Sequence, residues 1–160
     1  CNEKAILVLV PRHPDRASKI VKEANKLGLD PALFSENKYQ IDLSNTINLI
    51  DEIGYLESLF SRADIAFIGG SLIPHGGQNF LEALKFSLPI SSGRSFYNFQ
   101  EIAEDLIEMD ILKIGNSALE LKEIWEQQLS SVQNKISEKT NQYFNDRQGS
   151  SIRAFEHLSL

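Results

Sequence analysis

Apolar residues fall along this chain either in short solid runs or at every third or fourth position. Solid runs predict strands covered on both faces, and spaced apolar residues predict amphipathic helices. Ala5 to Val10 is the first solid run and reads as a central strand. Pro14 suits the first turn of the helix that follows. Ile20, Val21, Ala24 and Leu27 form its apolar stripe, and Gly28 caps it. Ala32 to Phe34 and Thr46 to Ile50 are the next strands, with a polar loop over 36–44 between them. Tyr55 to Arg62 is a short helix, and Ile65 to Ile68 a buried strand. A helix is expected from about Asn79 to Ser87, then a strand from Pro89 to Ser91 and a loop over 93–97. Phe99 to Met109 reads as a helix and Ile111 to Ile114 as an edge strand. From about Ala118 the pattern is helical, with Leu121, Ile124, Trp125, Leu129 and Val132 on one core-facing stripe. Gly149-Ser150-Ser151 is expected to break it before a final short helix.

Strands that alternate with helices predict an α/β sheet with mostly parallel strands. Ligands of such sheets bind beyond the carboxyl ends of the strands. Four loops fall there, at 11–14, 51–55, 69–79 and 91–98, and the topology is expected to bring them to one rim.

Composition narrows this picture. The chain of 160 residues fits one domain with a real core. Its net charge of −6 argues against a nucleic-acid or anionic-membrane surface. A single cysteine, Cys1, excludes an internal disulfide framework and fits a reducing compartment. His13, His75 and His157 are scattered, with no metal-ligand spacing. No apolar run approaches the roughly 20 residues of a membrane span, and no signal peptide is visible. The chain enters a strand almost at once after Cys1-Asn2-Glu3-Lys4. That start is expected of a fragment cut at a domain boundary, with Cys1 an accessible thiol.

The chemistry concentrates in 69–84. A buried strand ends in Gly69-Gly70, a second pair, Gly76-Gly77, lets the backbone approach a ligand, and a helix opens near Asn79. Helix starts offer unpaired N–H groups and a positive dipole end, which suit a phosphate. Glu82 stands about one turn further on, where a carboxylate can accept both hydroxyls of a ribose. The plainer reading is equally available: Asn79-x-x-Glu82 fits a capping box that only satisfies the helix start. The glycines do not follow G-x-G-x-x-G, so dinucleotide binding is not indicated.

Three blocks resemble a known family. Gly-Gly-Ser-Leu-Ile-Pro-His-Gly-Gly-Gln-Asn-Phe-Leu-Glu at 69–82, Val-Pro-Arg-His-Pro-Asp-Arg at 10–16, and 93–101 ending Asn-Phe-Gln-Glu are similar to bacterial 3-deoxy-D-manno-octulosonic acid (Kdo) transferases. These enzymes move Kdo from CMP-Kdo to lipid A precursors. The resemblance covers essentially the whole chain but only the C-terminal half of such an enzyme. It implies a Rossmann-like parallel sheet sandwiched by helices, the C-terminal domain of a GT-B glycosyltransferase. The donor-binding domain would span 1–160, its last helices from about 118 linking back to the missing N-terminal domain. The residues it implies for CMP-Kdo or CMP are Pro11, Arg12, Ile53, Gly54, Tyr55, Gly77, Asn79, Phe80, Leu81 and Glu82. Backbone groups at Gly54 would read the cytosine edge. Arg12 offers a bidentate grip on the phosphate or the sugar carboxylate, or else a surface pair with Asp15 or Glu36.

The family's general base lies in the missing domain, so this chain is expected to bind and not to catalyse. The lipid A precursor would meet that missing half, at the cytoplasmic face of the bacterial inner membrane, while the fragment itself is expected to be soluble. No cofactor is implied, and with no Asp-x-Asp pair a metal is not required. The chain departs from the family pattern at Tyr55 (usually Glu), His75 (often Arg), Gln78 (often His), Ala83 (often Pro) and Arg94-Ser95-Phe96 (Pro-His-Thr). The roles of His13, His75 and Arg94 stay open. Other readings remain: the donor domain of a UDP-sugar glycosyltransferase, half of a UDP-N-acetylglucosamine 2-epimerase-like isomerase, or a free-standing nucleotide-binding module.

Overall fold

The computed structural model describes residues 5–130 and 134–156. The expectations for Cys1 and Val132 fall outside them. Two compact units are present, Cys1–Ser58 and Leu59–Leu160, and every strand pair in either unit is parallel.

In the first unit, β1 (Leu7–Leu9), β2 (Ala32–Leu33) and β3 (Ile47–Leu49) form a sheet in the order β1-β3-β2. The central strand is β3, and Leu49 and Ile50 at its end are fully buried. This corrects the expectation for 5–10. That run does form a strand, but at an edge, with Leu7 50% and Leu9 38% exposed. A solid apolar run identifies a strand without naming its neighbours, and here β3 enters between β1 and β2. Asn48, nearly buried, is satisfied by Asp42: its Oδ1 accepts the Asp42 N–H and its Nδ2 donates to the Asp42 carbonyl. The same pair pins the loop between β2 and β3. A 3-10 turn at Pro14–Arg16 leads into α1 (Ala17–Lys26). It closes at Gly28, where the N–H groups of Leu27, Gly28 and Leu29 return to Ala24 and Asn25. Leu27 is exposed and takes no part in the buried stripe.

The chain passes through α2 (Leu56–Phe60) into the second unit. There β4 (Ala66–Ile68), β5 (Ile90–Ser92) and β6 (Leu112–Ile114) form a sheet in that order, with β6 at the expected edge. One core joins Ala66, Ile68 and Ile90 of the sheet to Leu84, Ala103 and Leu106 from the helices and to Phe80 at a helix N-cap. These helices are α3 (Leu81–Leu84) and α4 (Gln100–Glu108). On β4 and β5, Phe67 and Ser91, whose side chains alternate with that core set, meet α5 (Ala118–Ser130). Trp125 packs edge-on to Phe67 and its indole N–H donates to Ser91 Oγ at 2.9 Å.

The last helix, α6 (Asn134–Glu156), runs through 149–151 without the expected break. Glycine inside a helix costs about 1 kcal/mol relative to alanine, which a long helix tolerates. Tyr143 on α6 is buried in the main core. Arg147 caps the Tyr143 ring at 4.4 Å and pairs with Asp105, and Lys139 pairs with Asp110. Exposed ion pairs contribute about 0–1 kcal/mol each, whereas a buried aromatic side chain contributes about 3–5. Tyr143 is therefore the main anchor of α6.

Candidate functional site

In the first unit two loops leave the carboxyl ends of the strands. Half-buried Pro11 and exposed Arg12 follow β1. Among the described residues Arg12 forms no ion pair, so the expected alternative with Asp15 or Glu36 is not made. His13 stands at the N-cap of the Pro14–Arg16 turn, but its side chain makes no capping bond.

The loop after β3 begins at Asp51. Its carboxylate accepts the N–H of Ser35 at 3.0 Å and the hydroxyl of Ser35 as well. This ties the end of β2 to the end of β3. Partial burial pushes the Asp51 carboxyl up, but the two bonds from Ser35 outweigh it and hold the carboxyl below its ordinary value. Beyond this anchor, Ile53 is 83% exposed and Gly54 has φ +97°, a left-handed conformation that favours glycine. The Tyr55 ring lies edge-on to Phe34 at 4.7 Å.

In the second unit the glycine-rich loop is locked by two serines to which the sequence assigned no role. Ser71 is buried; its hydroxyl donates to the Ile68 carbonyl at 2.7 Å and accepts the Gly93 N–H at 2.8 Å. The Ser95 N–H donates to the Ser71 carbonyl, and Ser95 Oγ accepts the N–H groups of His75 and Gly76. The loops at 69–79 and 91–98 are thus one laced structure. Gly76 has φ +89°, and a Cβ there would overlap the Asn98 side chain. A Cβ on Gly93 would overlap the Ser71 carbonyl. These glycines serve the lacing first. The Gly76 N–H is already given to Ser95 Oγ, and the Gly77 N–H to the Gly70 carbonyl.

The helix expected over 79–87 is confined to Leu81–Leu84. Its last turn tightens, with Phe86 and Ser87 donating to Ala83 and Leu84, and ends at Ser87 with φ +54°. Asn79 Oδ1 accepts the Leu81 N–H at 3.0 Å. Glu82 is exposed, and among the described residues its carboxylate forms neither a reciprocal capping bond nor an ion pair. The Asn79 bond is a local turn ahead of the helix, whose N-cap is Phe80, so no capping box forms and that carboxylate is left open to a ligand. Phe80 is wholly buried between Phe96 and Phe99, and Leu81 is half-buried. Any ligand contact of Phe80 therefore runs through its backbone. The second unit thus brings Gly77, Asn79, Phe80, Leu81 and Glu82 together. The first brings Ile53, Gly54 and Tyr55 together, with Pro11 and Arg12 at the end of β1.

An open depression lined by Gly28, Asp30, Ser44, Asn45 and Thr46 lies at the other, amino end of β3. Carboxyl-end loops are the better candidates in a parallel sheet.

No protein-family profile matches the chain. A 3-deoxy-D-manno-octulosonic acid transferase of Haemophilus influenzae is 35% identical over 131 residues, covering 81% of this chain and 30% of that protein. A bifunctional glycosyltransferase/methyltransferase of Fusobacterium nucleatum is 36% identical over 108 residues, 66% of this chain and 17% of that protein. The chain thus spans about a third or less of the relatives it matches. Among solved structures, the C-terminal CMP-Kdo binding domain of WaaA from Acinetobacter baumannii superimposes with a TM-score of 0.78 at 27% identity, covering 86% of this chain and 72% of that one. The α/β fold with parallel strands is that of the C-terminal domain of a GT-B transferase. In sequence and fold together, the chain belongs with the C-terminal domain of the 3-deoxy-D-manno-octulosonic acid transferases.

Proposed function

We propose that this chain binds CMP-Kdo and is the donor-binding part of a glycosyltransferase that moves Kdo to a lipid A precursor. The observation that carries the proposal is the match to a domain described as binding CMP-Kdo, over 86% of this chain. Features within each unit, taken separately, are consistent with it. Arg12 is a cation without an ion pair among the described residues, fit for the phosphate or the sugar carboxylate. Glu82 is a carboxylate without a capping partner, fit for the ribose diol. Ile53, Gly54 and Tyr55 form a loop whose backbone faces the base. Gly77, Asn79, Phe80 and Leu81 would line the leaving nucleotide, the N–H groups of Gly77 and Leu81 being already given to Gly70 and Asn79.

Attack by an acceptor hydroxyl needs a general base. We place that base, and the lipid acceptor, in the part of the longer relatives that this chain does not span. This chain's share of the reaction is to hold the donor and stabilise departing CMP with preorganised donors. The longer protein would work at the cytoplasmic face of a bacterial inner membrane; no described helix here is long and apolar enough to cross one. Calorimetric titration with CMP, UMP and UDP tests the reading. CMP is expected to bind most tightly. A tenfold preference for UDP, about 1.4 kcal/mol, would transfer the chain to the UDP-sugar enzymes.

A further inference from the structure

The loop between β2 and β3 contains an arrangement that the proposed donor site does not yet use. Lys38 and Tyr39 have φ of +53° and +58°, two consecutive non-glycine residues in the left-handed region. Such residues are uncommon and costly, and bulky ones especially so. The turn is nevertheless held firmly. The Tyr39 N–H donates to the Phe34 carbonyl at 3.0 Å, and Asn37 Nδ2 donates to the Gln40 carbonyl at 2.9 Å. The result is to carry the Tyr39 ring over Tyr55, nearly parallel to it at 15° with centroids 6.3 Å apart. Tyr55 in turn rests edge-on against buried Phe34. Tyr39 also lies edge-on to Phe34, at 5.8 Å, so both tyrosines pack side by side on the buried ring, and Tyr39 is 52% exposed. Backbone strain gathers where function requires a fixed side chain. A strained turn that only closed a loop would be better served by glycine.

We propose that Tyr39, held against Phe34 and Tyr55, is a stacking platform for the pyrimidine base of the bound nucleotide. This rests on the donor-site reading above and extends it to a residue outside the family-like blocks. It also gives a side-chain role to Tyr55, at a position where the family usually has glutamate. A platform of this kind recognises the face of a base and not its edge. Discrimination of cytosine from uracil would stay with the backbone of the Ile53-Gly54 loop.

The test is titration of the 160-residue chain and its variants with CMP, UMP and ribose 5-phosphate, which has no base. Tyr39→Gly removes the ring and relieves the strain, so its melting temperature should not fall. The proposal expects it to weaken CMP and UMP alike by about tenfold, leaving ribose 5-phosphate within about twofold. Tyr39→Phe should restore binding, because the ring and not the hydroxyl stacks. Unchanged CMP affinity in Tyr39→Gly overturns the platform. So does an equal loss for ribose 5-phosphate, which would mean a general loop effect. The two readings fail differently. If UDP outcompetes CMP yet is itself weakened by Tyr39→Gly, the donor reading fails and the platform stands. If the wild-type chain binds CMP no better than ribose 5-phosphate, the platform fails and a phosphate site remains. If it binds no nucleotide, both fall.

Discussion

Glu82 is the residue on which the site reading turns. Its sequence context allows two roles; no capping box forms, and its carboxylate has no helix-end partner among the described residues. Replacing Glu82 with glutamine keeps one acceptor for a hydroxyl but removes a charge-assisted bond. CMP should weaken by about 1.5–3 kcal/mol, with almost no change in melting temperature. Using 2′,3′-dideoxy-CMP should abolish the difference between mutant and wild type; an equal defect with both ligands would remove the ribose role. Gly76 makes the opposite kind of prediction. Alanine there combines φ +89° with overlap onto Asn98, and should destabilise by about 2–3 kcal/mol. Gly28→Ala, with nothing within 4 Å of the added Cβ, should cost only about 1 kcal/mol. Equal melting temperatures for the two variants would show that the lacing of the loops carries no stability.

At the scale of elements, the sequence located every strand and most helices, because solid apolar runs and spaced stripes are local signals. It failed where position depends on partners. The run at 5–10 is as apolar as a central strand, yet lies at the sheet edge. Leu49→Ala should therefore cost about 2–5 kcal/mol and Leu7→Ala well under that, about 1 or less. Denaturant unfolding of the two mutants checks it, and equal losses would contradict the strand order. The helix after Asn79 was overextended because no composition rule marks Ser87 as a left-handed stop. The tie between β2 and β3 was invisible for the same reason, since Ser35 and Asp51 meet only once the strands align. Its pH dependence follows from sign. The folded Asp51 carboxyl lies below its ordinary value of 3.8. The tie therefore adds stability above that value and loses it as pH falls through the lower folded one. The stability difference between wild type and Asp51→Asn should narrow on acidification from about pH 5 to about pH 2.5. A difference independent of pH would contradict it.

For the molecule as a whole, the three family-like blocks were legible because they are contiguous strand-end loops, whereas the Ser71–Ser95 lacing and the Tyr39 stack required distant residues to meet. The account's central claim is that loops at the carboxyl ends of the strands hold a cytidine nucleotide. Amide chemical-shift mapping of the chain during CMP titration tests it most directly. The account predicts saturable shifts at Arg12, Ile53, Gly54, Tyr55, Gly77, Asn79 and Glu82, with Gly28, Asp30, Asn45 and Thr46 at the opposite strand end unmoved. Shifts confined to that opposite depression, or none at saturating CMP, would contradict it.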